Sequence, residues 1–189
     1  MKEAISPTTH TDALKELLAL FYPQTAPLGS FEFCSSEQCP AEYRAMLDHE
    51  KHMTVTVERR HANPVDVQVL ACHQNDSHYM RKILLRRQDD QRVVLFGIVR
   101  MALAALQPDV RDKILSQGTP LGRVLITHKV LRHVQLNALW RVSCGPELAQ
   151  WFAIPPGSIT YGRTALIYCD EKPAIELLEI VSPEETPSP

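Results

Sequence analysis

SHYMRKILLRRQDDQRVVLFGIVRM, residues 77–101, is the stretch that decides the fold class. It contains two mostly apolar runs, Tyr79 to Arg87 and Arg92 to Met101, separated by the polar sequence Gln88-Asp89-Asp90-Gln91. Two apolar runs joined by a short polar turn are typical of a β-hairpin. We therefore expect an antiparallel pair of strands here.

Further strands are predicted on both sides of this hairpin. From Met53 the apolar residues alternate with polar ones, which predicts a strand through Val55 and Val57 and another through Val65, Val67 and Val69. The same pattern predicts a strand from Val134 to Val142. A second hairpin is predicted from Tyr161 to Cys169 and from Pro173 to Val181.

Helices are predicted in two groups. The first group begins after Thr11-Asp12 and after Pro40, and the second follows the first hairpin, where Val110 and Ile114 lie at helical spacing. Short helices are also predicted after Thr119-Pro120 and from Pro146 to Phe152. Strands joined by hairpins, with helices grouped apart from them, indicate an α+β domain. We expect a mainly antiparallel β-sheet with helices packed on one face.

Length and composition favour one soluble domain over residues 1–189, with disordered ends at residues 1–10 and 183–189. The formal net charge of −2 provides no general attraction to nucleic acid or to a membrane surface, so neither is expected as a partner. The N-terminus lacks the pattern of a signal peptide, and the longest apolar run, Val93 to Val99, is too short to span a membrane. A cytoplasmic location is expected. Five cysteines, an odd number, do not indicate a disulfide framework.

Arg81 is the first candidate functional residue. On a strand it shares a face with Tyr79, Ile83 and Leu85, whereas Lys82 belongs to the other face. An arginine that points into a core needs a carboxylate, which either the protein or a ligand can supply. The residues alone leave both sources open.

The sequence Thr119-Pro120-Leu121-Gly122-Arg123 predicts a helix start, with Thr119 as the N-cap and Pro120 as the first helical residue. The amides of Leu121 and Gly122 then have no helical acceptor, and such amides suit a carboxylate or a phosphate. The alternative is a plain capped helix in which Thr119 takes one amide itself.

Two glutamates compete for the interior in the last predicted strand. Glu176 belongs to one face of the strand and Glu179 to the other, and both faces are equally apolar. Alternation therefore does not select between them. A structural ion pair between Glu176 and Arg163 is a further alternative.

These segments, in this order, resemble the chorismate pyruvate-lyase family, whose sheet is shared by the small-molecule-sensing domains of some transcription regulators. The resemblance is carried by Tyr79-Met80-Arg81-Lys82-Ile83-Leu84-Leu85, by Thr119 to Arg123, by Glu176-Leu177 with Ser182-Pro183, and by Met53-Thr54. It implies a chorismate lyase-like fold. It also implies that Arg81 and the Leu121 amide bind the carboxylate of a ring, that Glu176 meets the ring hydroxyl, and that Met53 covers the ligand.

The resemblance implies a carbon–oxygen lyase that releases pyruvate from chorismate and leaves a hydroxybenzoate, with 4-hydroxybenzoate favoured over the 3-isomer. No cofactor is expected, because the ring proton can pass to the enolpyruvyl carbon within the substrate. Arg81 and Glu176 would act as catalytic residues, with Met53, Leu121 and Gly122 binding the substrate and Arg123 or Arg163 meeting its second carboxylate. The alternative is a non-catalytic binding module for an aromatic or other small carboxylic acid.

A metal site is an alternative at Cys34, Cys39, His49 and His52, whose side chains are common zinc ligands. Their spacing, Cys-x4-Cys followed by His-x2-His, differs from the usual zinc-finger pattern, so no metal is expected. His52 directly precedes Met53, and a contact with the ligand is a further possibility for it.

Overall fold

The computed structural model describes residues 7–183, with side chains from His10 onward. The helices are α1 (Pro7–Ala19), α2 (Ala41–Leu47), α3 (Met53–His61), α4 (Pro108–Leu115), α5 (Leu121–Thr127) and α6 (Pro146–Phe152), and a 3₁₀ turn (Leu103–Ala105) precedes α4. The strands are β1 (Gly29–Cys34), β2 (Val65–Gln74), β3 (His78–Arg87), β4 (Val93–Ala102), β5 (Arg132–Cys144), β6 (Ile159–Cys169) and β7 (Lys172–Val181).

The strands form one seven-stranded sheet in the order β1-β5-β6-β7-β4-β3-β2, and every neighbouring pair is antiparallel. The two predicted hairpins are present as β3–β4 and β6–β7, and β4 pairs with β7 to bring them together at the centre. The predicted α+β class with an antiparallel sheet is confirmed. Strand β1, which pairs with β5 at one edge, was not predicted.

The register gives the sheet two distinct faces. Arg81, Val99, Leu177 and Ala165 are cross-strand neighbours on β3, β4, β7 and β6, and they lie on what we call the cavity face. The residues that follow them along the strands, such as Lys82, belong to the opposite face. Because side chains alternate along a strand, these four residues determine which face of the sheet every other residue of the same strands points to, as long as the register is regular.

Helices cover both faces, which differs from the prediction of helices on one face. On the opposite face, α1 and α6 pack against the sheet around Trp140 and Phe96. On the cavity face, α2 and α3 form one core cluster, and α4 and α5 form a second cluster beside it. The sequence did not reveal this division, because an apolar helix stripe does not specify which face of a sheet it covers.

The strand predicted from Met53 is wrong: residues 53–61 form the helix α3. Its buried residues Met53, Thr54 and Val57 have helical rather than alternating spacing. β-Branched residues disfavour a helix only weakly, so the burial of this stripe between α2 and the sheet overrides their preference.

The predicted disordered ends fall mostly at residues 1–6 and 184–189, outside the described residues. Residues 7–10, which the prediction included in the N-terminal end, belong to the first turns of α1. The described residues contain no helix long and apolar enough to cross a membrane.

Candidate functional site

A cavity lies on the cavity face where the two core clusters meet. The space between its walls is about 480 Å³ when the open solvent at its mouth is included, and the part that admits the centre of a water-sized sphere is about 40 Å³. Polar groups reach it from Arg81, Glu179, His52 and Thr54, and the starts of α3 and α5 form its rim with Met53, Leu121 and Gly122. The rest of the wall is apolar, with side chains from Val67, Ile83, Leu85, Leu95, Val99, Ile167 and Leu177.

Arg81 is the most unusual group in this wall. It is 1% exposed, yet its Nε and Nη1 have no hydrogen-bond partner among the described residues. Burial lowers the pKa of the Arg81 guanidinium, and the groups that oppose this shift are the hydroxyl of Tyr79 and the thiol of Cys72 rather than a carboxylate. A buried cation without an anion is costly, so this position favours a ligand that supplies one.

The start of α5 lies beside Arg81 in the cavity wall, but its cap differs from the prediction. Pro120, with φ −54° and ψ 137°, occupies the N-cap position, and no side chain caps the helix. The amides of Arg123 and Val124 bond to the carbonyl of Pro120. The amides of Leu121 and Gly122 come before the first amide that has an acceptor within the helix, and both residues line the cavity.

Gly122 allows the starts of α3 and α5 to approach closely. A Cβ atom at this position would lie 2.9 Å from Thr54 Oγ1 and 3.1 Å from His52 Cβ. Both distances are shorter than ordinary van der Waals contacts, so a larger residue would separate the two helix starts. Met53, 2% exposed, lies in α3 directly beside this contact and lines the cavity, and its contact with a ligand stays a prediction.

The glutamate in the cavity wall is Glu179. Its side chain is 14% exposed, and its Oε2 accepts a hydrogen bond of 2.8 Å from Nε of Arg163, which is opposite it on β6. Burial raises the pKa of the Glu179 carboxyl above its ordinary value, although Arg163 acts in the opposite direction. The cavity therefore has a cation in one part of its wall and a paired carboxylate in another.

Glu176, which the resemblance implied for this role, lies on the opposite face. It is the cross-strand neighbour of Arg100, whose Nε and Nη2 donate to its two carboxyl oxygens at 2.5 and 2.8 Å. A register shift between Ile167 and Tyr168 also removes the expected pairing of Glu176 with Arg163. The predicted Arg81 and Glu176 are thus on different faces of the sheet and do not meet.

Neither arginine predicted for a second carboxylate has its guanidinium free in the cavity. Arg123 forms an ion pair with Glu58 of α3 and does not line the cavity. Arg163 is bound to Glu179 and to backbone carbonyls of residues 47–51. Both arginines stabilise the structure around the cavity.

His52 is a further polar group of the wall, and its role was only weakly indicated by the sequence. Its Nε2 accepts a hydrogen bond of 2.5 Å from Nε of Arg132 on β5. Burial, together with the positive charges of Arg132 and Arg163, lowers the pKa of His52 to about 4. The imidazole is therefore neutral at neutral pH, and this bond places the ring proton on Nδ1.

Cys34, Cys39 and His49 do not join His52 in a metal site. Within residues 7–183, no group of three or more His, Cys, Asp or Glu side chains is arranged to hold a metal ion. Cys34 and Cys39 are buried in the core cluster that contains α2 and α3, where apolar surroundings raise the pKa of both thiols.

Comparison with known proteins establishes the fold of the chain but does not assign the chain to a family. No protein-family model and no curated protein matches the chain. Among solved structures, the effector domain of PhnF from Mycobacterium smegmatis matches 71% of this chain and 90% of its own, with a TM-score of 0.53 and 8% identity. A structure of PhnF from the same organism matches 69% of this chain and 63% of its own, with a TM-score of 0.51 and 7% identity.

A GntR-family transcriptional regulator from Enterococcus faecalis V583 matches 65% of this chain and 97% of its own, with a TM-score of 0.44 and 8% identity. At such identities a structural match establishes the fold and nothing more. The chain has the α+β fold of the PhnF effector domain.

Proposed function

We propose that this protein binds a small carboxylic acid in the cavity, with the carboxylate on Arg81. The observation that carries the proposal is the buried guanidinium of Arg81, whose Nε and Nη1 have no partner in the described part of the chain. A planar guanidinium offers two parallel N–H donors, which match the two oxygens of a carboxylate. The amides of Leu121 and Gly122 would add donors in the same cavity.

The wall favours a ligand with an apolar ring. Val99, Leu177 and Ile167 present apolar surface next to Arg81, and Glu179 offers a carboxylate acceptor in the same cavity. A ring that carries a carboxylate and a hydroxyl group would satisfy both polar groups. A hydroxybenzoate has this form, and it is the class of molecule that the family resemblance implies.

Calorimetric titration of the purified protein with 4-hydroxybenzoate and with the neutral 4-hydroxybenzamide tests the proposal. We expect the acid to bind at least about tenfold more tightly than the amide, because only the acid supplies a negative charge to Arg81. Equal affinity for the two compounds, or binding of neither, would contradict the proposal.

A second candidate function is the release of pyruvate from chorismate. The observation that favours it is that Glu179 lines the cavity with Arg81, so the wall has one cation and one carboxylate, the latter paired with Arg163, although Glu176 lies on the opposite face. In this reaction the ether bond to the ring breaks, the ring proton passes to the methylene carbon of the enolpyruvyl group, and the ring becomes aromatic. Arg81 would hold the ring carboxylate and Glu179 would orient the ring hydroxyl.

Incubation with chorismate separates the two candidates. Pyruvate is measured with lactate dehydrogenase, and chromatography identifies the 3- or 4-hydroxy product. Pyruvate release that is lost in Arg81→Met would support the lyase. A protein that binds 4-hydroxybenzoate and releases no pyruvate above the background rate would be a binding module.

A further inference from the structure

The side chain of Arg163 connects Glu179 in the cavity wall to the segment that leads into α3. Arg163 is 1% exposed on β6. Its Nε donates to Glu179, its Nη1 donates to the carbonyls of His49 and Leu47 at 2.7 and 3.3 Å, and its Nη2 donates to the carbonyl of Lys51 at 3.1 Å. All three nitrogens of the guanidinium are therefore engaged.

The segment that receives these bonds is residues 48–52, which we call the connecting segment because it joins α2 to α3. It has no helix or strand of its own. Besides the bonds from Arg163, it is held by backbone bonds such as that from Asp48 to Arg44 and by side-chain bonds of Asp48 with Ser36, of His49 with Thr56 and of His52 with Arg132. It ends at His52, which lines the cavity together with the adjoining Met53. Of residues 48–52 only His52 lines the cavity, so the connecting segment fixes where His52 and Met53 stand in the cavity wall.

We infer that Arg163 is a positioning residue that fixes the connecting segment, and with it His52 and Met53 in the cavity wall, so that movement of this segment sets how fast a bound ligand leaves. The inference rests on the proposed binding function of the cavity. Arg163 does not line the cavity itself. It contacts Glu179, which does, and the connecting segment. Segments outside helices and strands open more readily than the strands beneath them, and Arg163 ties the carbonyls of His49 and Lys51 in this segment to β6.

Arg163→Lys is the informative variant, because it keeps a positive charge beside Glu179 and avoids an unpaired buried carboxylate. A lysine ammonium is compact and lacks the fork that reaches Glu179 and the three carbonyls together. Arg100→Lys is the matched control. It makes the same change in a cross-strand Arg–Glu pair on the opposite face, where Arg100 is joined to Glu176.

The first measurement is the association and dissociation rate of 4-hydroxybenzoate, obtained from NMR line shapes of the ligand. We expect Arg163→Lys to raise the dissociation rate by about tenfold and to leave the association rate within about twofold, because it removes charge-assisted hydrogen bonds that hold the connecting segment. Arg100→Lys should match the wild type in both rates. An unchanged dissociation rate in Arg163→Lys, or the same change in Arg100→Lys, would overturn the inference.

The second measurement is hydrogen exchange of peptides that cover residues 47–53 in the ligand-free protein. It tests the positioning role even if the wild type fails to bind 4-hydroxybenzoate, in which case the proposed function alone would be contradicted. We expect faster exchange of these peptides in Arg163→Lys, with β3 and β4 unchanged. Unchanged exchange, or an equal rise in all peptides, would contradict the role. If Arg163→Lys does not fold, Glu179→Gln replaces it as the test variant. This variant leaves the carbonyl bonds of Arg163 in place, so we expect a smaller rise in exchange, confined to the same peptides. The absence of any local rise would refute the positioning role of Arg163.

Discussion

Arg100 and Glu176 are cross-strand neighbours on β4 and β7, joined by two hydrogen bonds on the face of the sheet that lies away from the cavity. Glu16 of α1 also contacts Arg100, so this pair links the sheet to the helix that covers it. The same type of pair, Arg163 with Glu179, occurs on the cavity face. The protein thus has two Arg–Glu pairs on β7, and only the second borders the cavity.

Replacement of Arg81 should separate binding from stability. Arg81→Met should weaken binding of 4-hydroxybenzoate by about 30-fold or more, because the ligand loses a charge-assisted, two-point contact. The same variant should keep or raise the urea midpoint of unfolding, because methionine removes a buried charge without a partner. Calorimetry and urea titration measure the two effects.

The control for this experiment is Arg86→Met. Arg86 lies on the same strand, donates to Gln68 Oε1 and to the carbonyl of Gln91, and does not line the cavity. Arg86→Met should therefore leave the affinity for 4-hydroxybenzoate unchanged. A clear loss of stability in Arg81→Met would mean that the guanidinium serves the folded protein rather than a ligand.

The two glutamates of β7 should differ in their effect on ligand preference. We expect the wild type to bind 4-hydroxybenzoate about tenfold more tightly than benzoate, because the ring hydroxyl donates to the carboxylate of Glu179. Glu179→Gln should reduce this preference to about threefold, because a neutral amide is a weaker acceptor than a carboxylate. Glu176→Gln, on the opposite face, should retain the full preference, and a loss there would contradict the assignment.

Gly122 should not tolerate a side chain. Gly122→Ala brings a Cβ atom against Thr54 Oγ1 and His52 Cβ, so it should cost about 1–3 kcal/mol of unfolding free energy and weaken ligand binding by moving the starts of α3 and α5 apart. Urea denaturation and calorimetry check both effects. Gly118→Ala is the control, since a Cβ atom there meets only the carbonyl of Ser116 at 3.9 Å. Equal stability of the two variants would show that the helix starts separate without cost.

His52 should make stability depend on pH. Histidine in the unfolded chain titrates near pH 6.5, whereas His52 in the folded protein titrates at about 4. Between these values the unfolded chain binds a proton that the folded protein excludes, so stability falls as the pH is lowered from 6.5 towards 4.

His52→Gln removes this contribution. The decrease in unfolding free energy between pH 6.5 and 4.5 should become smaller by about 1–2 kcal/mol, as measured by urea denaturation at several pH values. Other shifted groups, including His49 and Glu179, are present in both proteins and cancel in the difference. A variant whose pH dependence equals that of the wild type would show that His52 is protonated in the folded protein as readily as in the unfolded chain.

Much of the fold was predictable from local pattern. The hairpins β3–β4 and β6–β7 follow from apolar runs and polar turns that are close in sequence, and α6 has the predicted bounds Pro146–Phe152. Residues 53–61 were mispredicted because a run of threonine and valine indicates a strand, whereas the outcome depends on burial against distant residues. Strand β1 was missed because its pairing with β5, more than a hundred residues away, leaves no local pattern.

The sequence by itself determined that Arg81 faces a core, because one face of its strand is apolar and the other carries charges. It also determined that a helix begins at Thr119-Pro120-Leu121-Gly122. Only the tertiary structure decided whether Glu176 or Glu179 lies in the cavity wall with Arg81 and this helix start. Glu176 and Glu179 are three residues apart, an odd number, so they lie on opposite faces of β7, and both faces are covered by helices. With apolar neighbours on either side, no local pattern distinguishes the faces, and the register of β7 against β4 and β6 makes the choice.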